Sequence, residues 1–216
     1  MRWILFLFPF ALIGQPTNAT LINITPVWGN QELHLDEKYS TINDTVIFET
    51  VKFYISAIES NANKKKKNEP LRFHLYDIEN PLSKTIVIHT TTKPTSKKIT
   101  IHFGVDSATH EQGIMPGDLD PTKGMYWTWQ TGYINLKLEG KSNDTPFQFH
   151  IGGYLSPFNT FQSIPYDVEK KAQYELIIDF KKWFEKSLTI GTSHIMSPGE
   201  KAASLSAYIK QCISLR

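Results

Sequence analysis

The chain is predicted to be an all-β protein, an antiparallel β-sandwich of the immunoglobulin-like type with a short C-terminal helix. Two observations carry this prediction. Many apolar residues lie in short runs that alternate with polar residues and are rich in β-branched and aromatic side chains, which is typical of strands with one buried face. Polar turn residues separate these runs, as in sandwiches that are built from many short strands.

The strands are predicted in chain order from this alternation. The clearest case is the run in which Ile134, Leu136 and Leu138 alternate with Asn135 and Lys137. A short edge strand at 32–35 opens the set, and the other predicted strands are 45–58, 71–78, 84–89, 98–103, 134–138, 147–151 and 174–180.

Helices are predicted only near the C-terminus. A turn or short helix is expected at 179–186. A closing helix is expected at 201–212, with Ser197 as its cap and Pro198 in its first turn. Its apolar residues recur at helical spacing, and they are Ala202, Leu205, Ile209 and Cys212.

The N-terminus is predicted to be a secretory signal peptide, residues 1–19, which leaves one domain at 20–216. Arg2 precedes an apolar run that is shorter than the ~20 residues needed to span a bilayer, and small or polar residues lead to Ala19. An uncleaved anchor is the alternative. No cysteine lies near the cleavage region, so neither a lipid anchor nor a membrane anchor after cleavage is expected. The mature protein should be periplasmic or secreted.

Charge and cysteine content exclude several classes of protein. The net charge of +2 is too small to indicate nucleic-acid binding, and the Lys64–Lys67 run lacks the interleaved aromatic residues of a nucleic-acid site. Cys212 is the only cysteine, so no intrachain disulfide or CxxC motif is available. A bound metal must therefore use His, Asp, Glu, Met or a modified aromatic residue.

An enzyme is not expected. The sequence has no GxSxG motif. Cys212 lies on an apolar helical stripe, where a buried, inert thiol is favoured over a nucleophile. Ser, His and Asp residues are present, but no spacing pairs them.

The run from Gly117 to Gly140 is the most informative stretch of the sequence, because a Gly- and Pro-rich loop leads directly into an aromatic cluster. Trp127 and Trp129 should share one face of an extended chain, with Tyr126 on the other. Such a cluster suits a ligand platform or redox chemistry, and it also suits an ordinary core. The preceding loop, 105–123, is long enough to indicate an ordered, functional segment.

Calcium is a second metal hypothesis for this loop. Asp118 and Asp120, with Asp106 and Glu111 nearby, supply hard oxygen ligands. Their spacing does not match a twelve-residue calcium loop, and the alternative is a set of Asx turns that shapes the loop.

The seven histidines are candidate ligands for copper or zinc, although none has an HxH, HxxxH or HExxH spacing. Alternation places His34, His74, His102 and His150 opposite apolar neighbours, on the polar faces of their strands. A surface or hydrogen-bonded histidine is the alternative for each.

The sequence resembles the MbnP-like proteins, the "metallo-mystery pair" family of bacterial periplasmic copper-binding proteins. The specific part of the resemblance is GDLDPTKGMYWTWQTGYINLKLEG, from Gly117 to Gly140. Four flanking segments resemble strands of the family, and they are Val51–Ile58 (VKFYISAI), Phe73–Asp77 (FHLYD), Ile101–Asp106 (IHFGVD) and Phe149–Gly153 (FHIGG).

The resemblance implies a copper site. In this family copper is held by two histidines and by a kynurenine that a partner dihaem enzyme of the cytochrome c peroxidase type makes from a tryptophan. By resemblance the histidines are His74 and His150, with His34 and His89 second in rank. Trp127 or Trp129 is the residue to be modified, and Tyr126 and Tyr133 line the site.

The sequence therefore predicts an exported copper carrier or sensor. The alternative is a structural or protein-interaction sandwich that binds no metal and keeps the aromatic motif as core.

Overall fold

A computed structural model describes residues 19–41, 43–60, 71–89, 98–129, 132–169 and 171–216. The expected signal peptide up to residue 18 and the Lys64–Lys67 run lie outside these residues. Within them, no helix is both long and apolar enough to cross a membrane.

Fourteen strands and three α-helices make up the described fold. The strands are β1 (Ala19–Trp28), β2 (Gln31–Glu32), β3 (Tyr39–Ser40), β4 (Thr45–Ser60), β5 (His74–Asp77), β6 (Thr85–His89), β7 (Lys98–Phe103), β8 (Tyr126–Trp127), β9 (Gly132–Ser142), β10 (Thr145–Gly152), β11 (Gln162–Asp167), β12 (Gln173–Asp179), β13 (His194–Ile195) and β14 (Ile213–Leu215). The helices are α1 (Ser107–Glu111), α2 (Phe180–Thr189) and α3 (Glu200–Tyr208).

The strands form two sheets. The larger has the order β11-β7-β4-β9-β10-β13, with β3 and β5 also paired to β4 and β8 paired to β9. The smaller has the order β14-β12-β1-β2, with β6 also paired to β1. Two pairs are parallel, β1 with β12 and β10 with β13. The prediction of a β-rich chain with a C-terminal helix is thus confirmed. The sheets are mixed rather than purely antiparallel, and the immunoglobulin-like sandwich is not confirmed.

The main core is aromatic and lies on one face of the larger sheet, where the smaller sheet and helices α2 and α3 cover it. Phe149 packs edge-on against Trp183 with 5.2 Å between ring centroids, and Phe147 packs against Phe184 at 5.1 Å. Asp179 begins α2 by accepting hydrogen bonds from the backbone N–H groups of Lys181 and Lys182, which satisfies two of the free donors of that helix end.

The predicted cap of the closing helix is wrong. α3 begins after Gly199, which provides no side-chain cap, and Ser197 precedes it. Pro198 also lies before the helix rather than in its first turn, because the chain first completes the short strand β13 beside β10.

A second cluster of buried residues lies on the opposite face of the larger sheet, beneath the loop that joins β7 to β8. It consists of Tyr54, Leu75, Val105, Leu119, Met125, Trp127, Tyr133 and Ile134. The loop is ordered, as predicted, and it contains α1 and two short 3-10 turns. The fold therefore spreads the motif over a sheet face instead of burying it in the main core.

Candidate metal centre

The two tryptophans of the motif lie side by side, with 6.0 Å between ring centroids. They do not share an extended strand, because β8 ends at Trp127 and the chain then turns. Their surroundings differ accordingly, since Trp127 is 5% exposed and Trp129 is 66% exposed. The Trp127 Nε1 group is buried without a hydrogen-bond partner among the described residues.

Trp127 is packed against strand β10. A Cβ atom at Gly152 would lie 2.7 Å from Cζ3 of Trp127 and 2.7 Å from the Tyr133 carbonyl oxygen, so only glycine admits the indole here. Residues two apart on a strand share a face. His150 lies two residues before this glycine, between the core residues Phe149 and Ile151, and therefore faces the side of the sheet that Trp127 covers.

His150 is held in a defined orientation by Glu139, its diagonal neighbour on β9. Its Nε2 lies 2.7 Å from Oε1 of Glu139. The side chain lies on the face opposite Phe149 and Ile151, as predicted, and it is almost fully buried there. Burial lowers the pKa of His150, and Lys137 and His194 lower it further, whereas Glu139 opposes the shift. The imidazole is therefore neutral at neutral pH, with Nε2–H donating to the carboxylate and Nδ1 left as an acceptor.

The pKa of Glu139 is shifted downward. Burial alone would raise it, but the hydrogen bond from His150 and the charge of Lys137 outweigh that effect. The carboxylate is thus ionised while it accepts the imidazole proton. A carboxylate that accepts the second ring proton is the usual support of a metal-binding histidine, because it fixes the tautomer and makes the other nitrogen more basic.

A second imidazole, which the sequence did not single out, lies on the same face. In the parallel pair of β10 and β13, Gln148 is opposite His194 and Phe149 is opposite Ile195. Phe149 and Ile195 are both buried in the main core, so His194 points to the other face of the sheet, the face of Gln148 and His150. His194 is exposed. The only sequence signal was the short run His194-Ile195-Met196, a weak alternation before Ser-Pro-Gly.

The other first-rank histidine, His74, is not brought to His150. It lies on β5 opposite Ile55 of β4, and both β4 and β9 separate it from β10, a lateral distance of about 14 Å at ~4.8 Å per strand. Its Nε2 donates to the Ser83 carbonyl at 2.7 Å, and its Nδ1 faces Asp118 at 3.5 Å. The His74 side chain therefore links β5 to Asp118 in the loop that joins β7 to β8.

The second-rank histidines also lie elsewhere. His34 is exposed beyond the end of β2, and its backbone N–H and carbonyl oxygen both bond the Tyr39 hydroxyl. His89 ends β6 in the smaller sheet, and its side chain lies outside the described part of the structure.

A histidine that the sequence did not rank lies beside Trp127. His110 and Trp127 both line a cavity of about 430 Å³, together with Tyr154 and Phe158. Burial lowers the pKa of His110 to about 4, although Asp106 and the Val105 carbonyl oppose the shift. Its Nδ1 accepts a hydrogen bond from the Tyr133 backbone N–H at 3.2 Å, so the ring is neutral and serves to hold the loop against β9.

Tyr126 and Tyr133, which were predicted to line the site, also hold the loop in place. The Tyr133 hydroxyl donates to the Gly113 carbonyl and accepts from the Met115 N–H. Tyr126 packs edge-on against Tyr133 with 5.1 Å between centroids. Both rings therefore fix the loop around Trp127.

The loop carboxylates have local partners. Asp106 caps α1, and Asp120 accepts from the Thr122 N–H. Asp118 accepts from the Leu75 N–H and pairs with Lys123 at 2.6 Å. These contacts are the ones expected of carboxylates that shape the turns of the loop, which was the alternative to a calcium site. In the part of the chain that the structure describes, no three His, Cys, Asp or Glu side chains are grouped closely enough to hold a metal ion.

Comparison with known proteins agrees with this arrangement at the level of fold and family. The model of the MbnP family matches residues 17–199, so the chain belongs to the MbnP family. Among solved structures, it is similar to MbnP from Methylosinus trichosporium, with a TM-score of 0.56 and 11% sequence identity over 78% of each chain. At that identity the likeness concerns the fold. No curated protein matches the chain.

Proposed function

We propose that this protein is an exported copper-binding protein, a carrier or sensor, and that His150 and His194 hold the metal beside Trp127. The observation that carries the proposal is the orientation of His150. Glu139 fixes its Nε2–H, so Nδ1 is the ring nitrogen that carries the free lone pair of the neutral imidazole, and His194 lies on the same face of the sheet. Neutral imidazole nitrogen is a good ligand for copper, and membership of the MbnP family supports this choice of metal.

Two imidazoles fit a copper ion only in part, because further donors are needed to complete its coordination. An unmodified Trp127 supplies none, since an indole N–H is only a donor. We therefore include the modification implied by the family in the proposal. Oxidation of a motif tryptophan by a dihaem peroxidase-like partner, with two equivalents of peroxide as the oxidant, would open the C2–C3 bond of the indole, and hydrolysis would release C2 as formate. The resulting kynurenine carries an aniline nitrogen and a ketone oxygen. Trp127 is the better candidate, because it packs beside the strand of His150 while Trp129 faces solvent.

Competition titration of copper against a chelator tests the ligands. His150→Ala and His194→Ala should each weaken copper binding at least tenfold, about 1.4 kcal/mol. His34→Ala is the matched control and should bind like the wild type. Wild-type affinity in both variants would refute the two ligands, and a wild-type protein that binds no copper would refute the function.

Mass spectrometry of protein from its native host tests the modification and export. The tryptic peptide from Gly124 to Lys137 contains both motif tryptophans, and fragmentation should locate the oxidised residue at Trp127. N-terminal sequencing should find the mature chain beginning near Thr20. Unmodified tryptophan in protein that binds copper tightly would contradict the modification. Met1 at the mature N-terminus would contradict export.

A protein-interaction module without metal is the second candidate function. It is supported by apolar side chains gathered near one cavity mouth, where Leu155 is 64% and Phe158 38% exposed, with Trp129 beside Trp127. Clustered exposed apolar residues mark binding surfaces. In that case the wild type should bind no copper, and Leu155→Ser should abolish binding of the partner protein.

A further inference from the structure

We propose that the cavity beside Trp127 binds a neutral aromatic molecule whose carbonyl oxygen accepts a hydrogen bond from the cavity wall. The cavity has a volume of about 430 Å³, which lies in the range of small-molecule sites, ~300–1,000 Å³. This inference goes beyond the proposed function, because the cavity needs no metal ion in order to bind such a molecule.

Two residues that line the cavity carry an N–H group without an acceptor. Nδ1 of His110 accepts from the Tyr133 backbone N–H, so the proton of the neutral ring is on Nε2, and Nε2 has no hydrogen-bond partner among the described residues. The Val105 carbonyl oxygen raises the pKa of His110 but is not in hydrogen-bond geometry with Nε2. The indole N–H of Trp127 is buried without a partner in the same way. Because a buried donor that lacks an acceptor is costly, this wall favours a ligand that brings an acceptor oxygen.

The rest of the lining selects a ligand that is aromatic and uncharged. Trp127, Tyr154 and Phe158 supply aromatic walls, and the Tyr154 ring is stacked on His110 with 4.6 Å between ring centroids. None of the described residues that line the cavity is Lys, Arg, Asp or Glu, and burial keeps the His110 ring neutral at neutral pH. A charged ligand would lose its hydration here without gaining a counter-charge, whereas an aromatic ring gains contacts with the walls.

The outer wall of the cavity is formed in advance by six consecutive residues that begin at Gly153. The Gly153 carbonyl oxygen accepts from the Thr160 N–H at 2.9 Å, and the Tyr154 carbonyl oxygen accepts from the Ser107 hydroxyl at 2.8 Å. Gly153 has a φ of +136°, and a Cβ atom there would lie 2.5 Å from the Phe158 carbonyl oxygen, so only glycine lets the segment close in this way. A ligand therefore pays little for ordering this wall when it binds.

Three probes of similar size test the ligand class in recombinant mature protein with intact Trp127. Acetophenone has a ring and a carbonyl oxygen, α-methylstyrene has the same shape with a methylene group in place of the oxygen, and benzoate is charged. Proton–nitrogen NMR correlation spectra follow the indole N–H of Trp127, whose signal is identified by its loss in Trp127→Phe. Acetophenone should bind saturably and shift this signal, α-methylstyrene should bind about tenfold more weakly, and benzoate should not bind.

A pair of variants tests the location. Phe158→Ala removes one aromatic wall and should weaken acetophenone binding about fivefold. Leu188→Ala is the matched control, because Phe158 and Leu188 are similarly exposed, 38% and 41%, and Leu188 lies on α2, away from the cavity. Its affinity for acetophenone should equal that of the wild type.

Four results would each overturn the proposal. They are the absence of saturable binding, equal affinity for acetophenone and α-methylstyrene, equal affinity for acetophenone and benzoate, and wild-type affinity in Phe158→Ala. None of them would bear on copper binding, which the titrations of His150→Ala and His194→Ala test separately.

Discussion

At the level of single residues, the two motif tryptophans differ in burial although only one residue separates them in the sequence. Trp127 is buried against Gly152, and Trp129 lies over it in contact with solvent. A side chain that fills a packed space contributes far more to stability than one that covers it from outside.

Truncation of the two side chains should therefore have unequal effects. Trp127→Ala is expected to lower the free energy of unfolding by roughly 3–5 kcal/mol, and Trp129→Ala by about 0.5 kcal/mol or less. Urea denaturation followed by circular dichroism measures both values. Equal losses in the two variants would show that the exposed indole also carries packing.

Among the residues that do not contact the metal, Glu139 should have the largest effect on metal affinity. Glu139→Gln removes the charge that accepts the His150 proton while it keeps the size of the side chain. We expect metal affinity to fall tenfold to about a hundredfold, as for other carboxylates behind a metal-binding histidine. Glu49→Gln is the control, because Glu49 pairs with Lys141 away from His150, and it should leave the affinity unchanged.

At the level of elements, the loop between β7 and β8 is held to β5 mainly through Asp118. Its carboxylate accepts from the Leu75 N–H and pairs with Lys123, and its carbonyl oxygen accepts from the Tyr54 hydroxyl at 3.1 Å. Asp120, two residues later, bonds only within its own turn in the described structure.

Asp118→Ala should therefore loosen the whole loop, and Asp120→Ala only its turn. Loss of an acceptor for a part-buried N–H is expected to cost roughly 1–3 kcal/mol. Hydrogen exchange should become faster from Met115 to Trp127 in Asp118→Ala, whereas in Asp120→Ala the change should be confined to residues near Thr122. Equal protection of the loop in both variants would contradict this role of Asp118.

The accuracy of the sequence predictions depends on the environment of each element. β7 was predicted with its bounds, 98–103, because one face of it is buried and its residues alternate. β11 was missed, since Pro165 indicates a break, yet Pro165 lies on an edge strand, where proline is tolerated. β1 was missed as well, because a strand that begins at Ala19 overlaps the expected end of the signal peptide.

The candidate site was predictable only in part. The motif tryptophans and His150 stood out because of the family resemblance. His194 did not, because nothing local distinguishes it from a surface histidine. Its position depends on the parallel pairing of β13 with β10, between residues that are far apart in the chain. Spacing along the chain carries no information about such a contact.

At the level of the whole molecule, several buried groups make stability depend on pH in the same direction. Burial lowers the pKa of His110 to about 4 and lowers the pKa of His102 and His150 as well. The folded protein keeps these rings neutral, whereas the unfolded chain protonates them near pH 6.5. The unfolded state therefore binds more protons as the pH falls below about 6.5, and stability decreases.

We expect the free energy of unfolding to fall between pH 7 and pH 4, with His110 alone contributing roughly 3 kcal/mol. Denaturant titrations at a series of pH values measure this dependence. His110→Gln, which keeps a polar group near the Tyr133 N–H, should have a clearly shallower slope over that range. A slope identical to that of the wild type would show that His110 does not contribute.

The parallel pair of β1 and β12 has a consequence for how the chain matures. Leu21 pairs with Gln173 and Val27 with Asp179, so the first strand of the domain has no partner on that side until almost the whole chain is available. Contacts between such distant residues slow folding, because the loop between them must close first. While the chain is being synthesised, β1 can pair only with β2 and β6, so the fold is completed only when the last third of the chain is available.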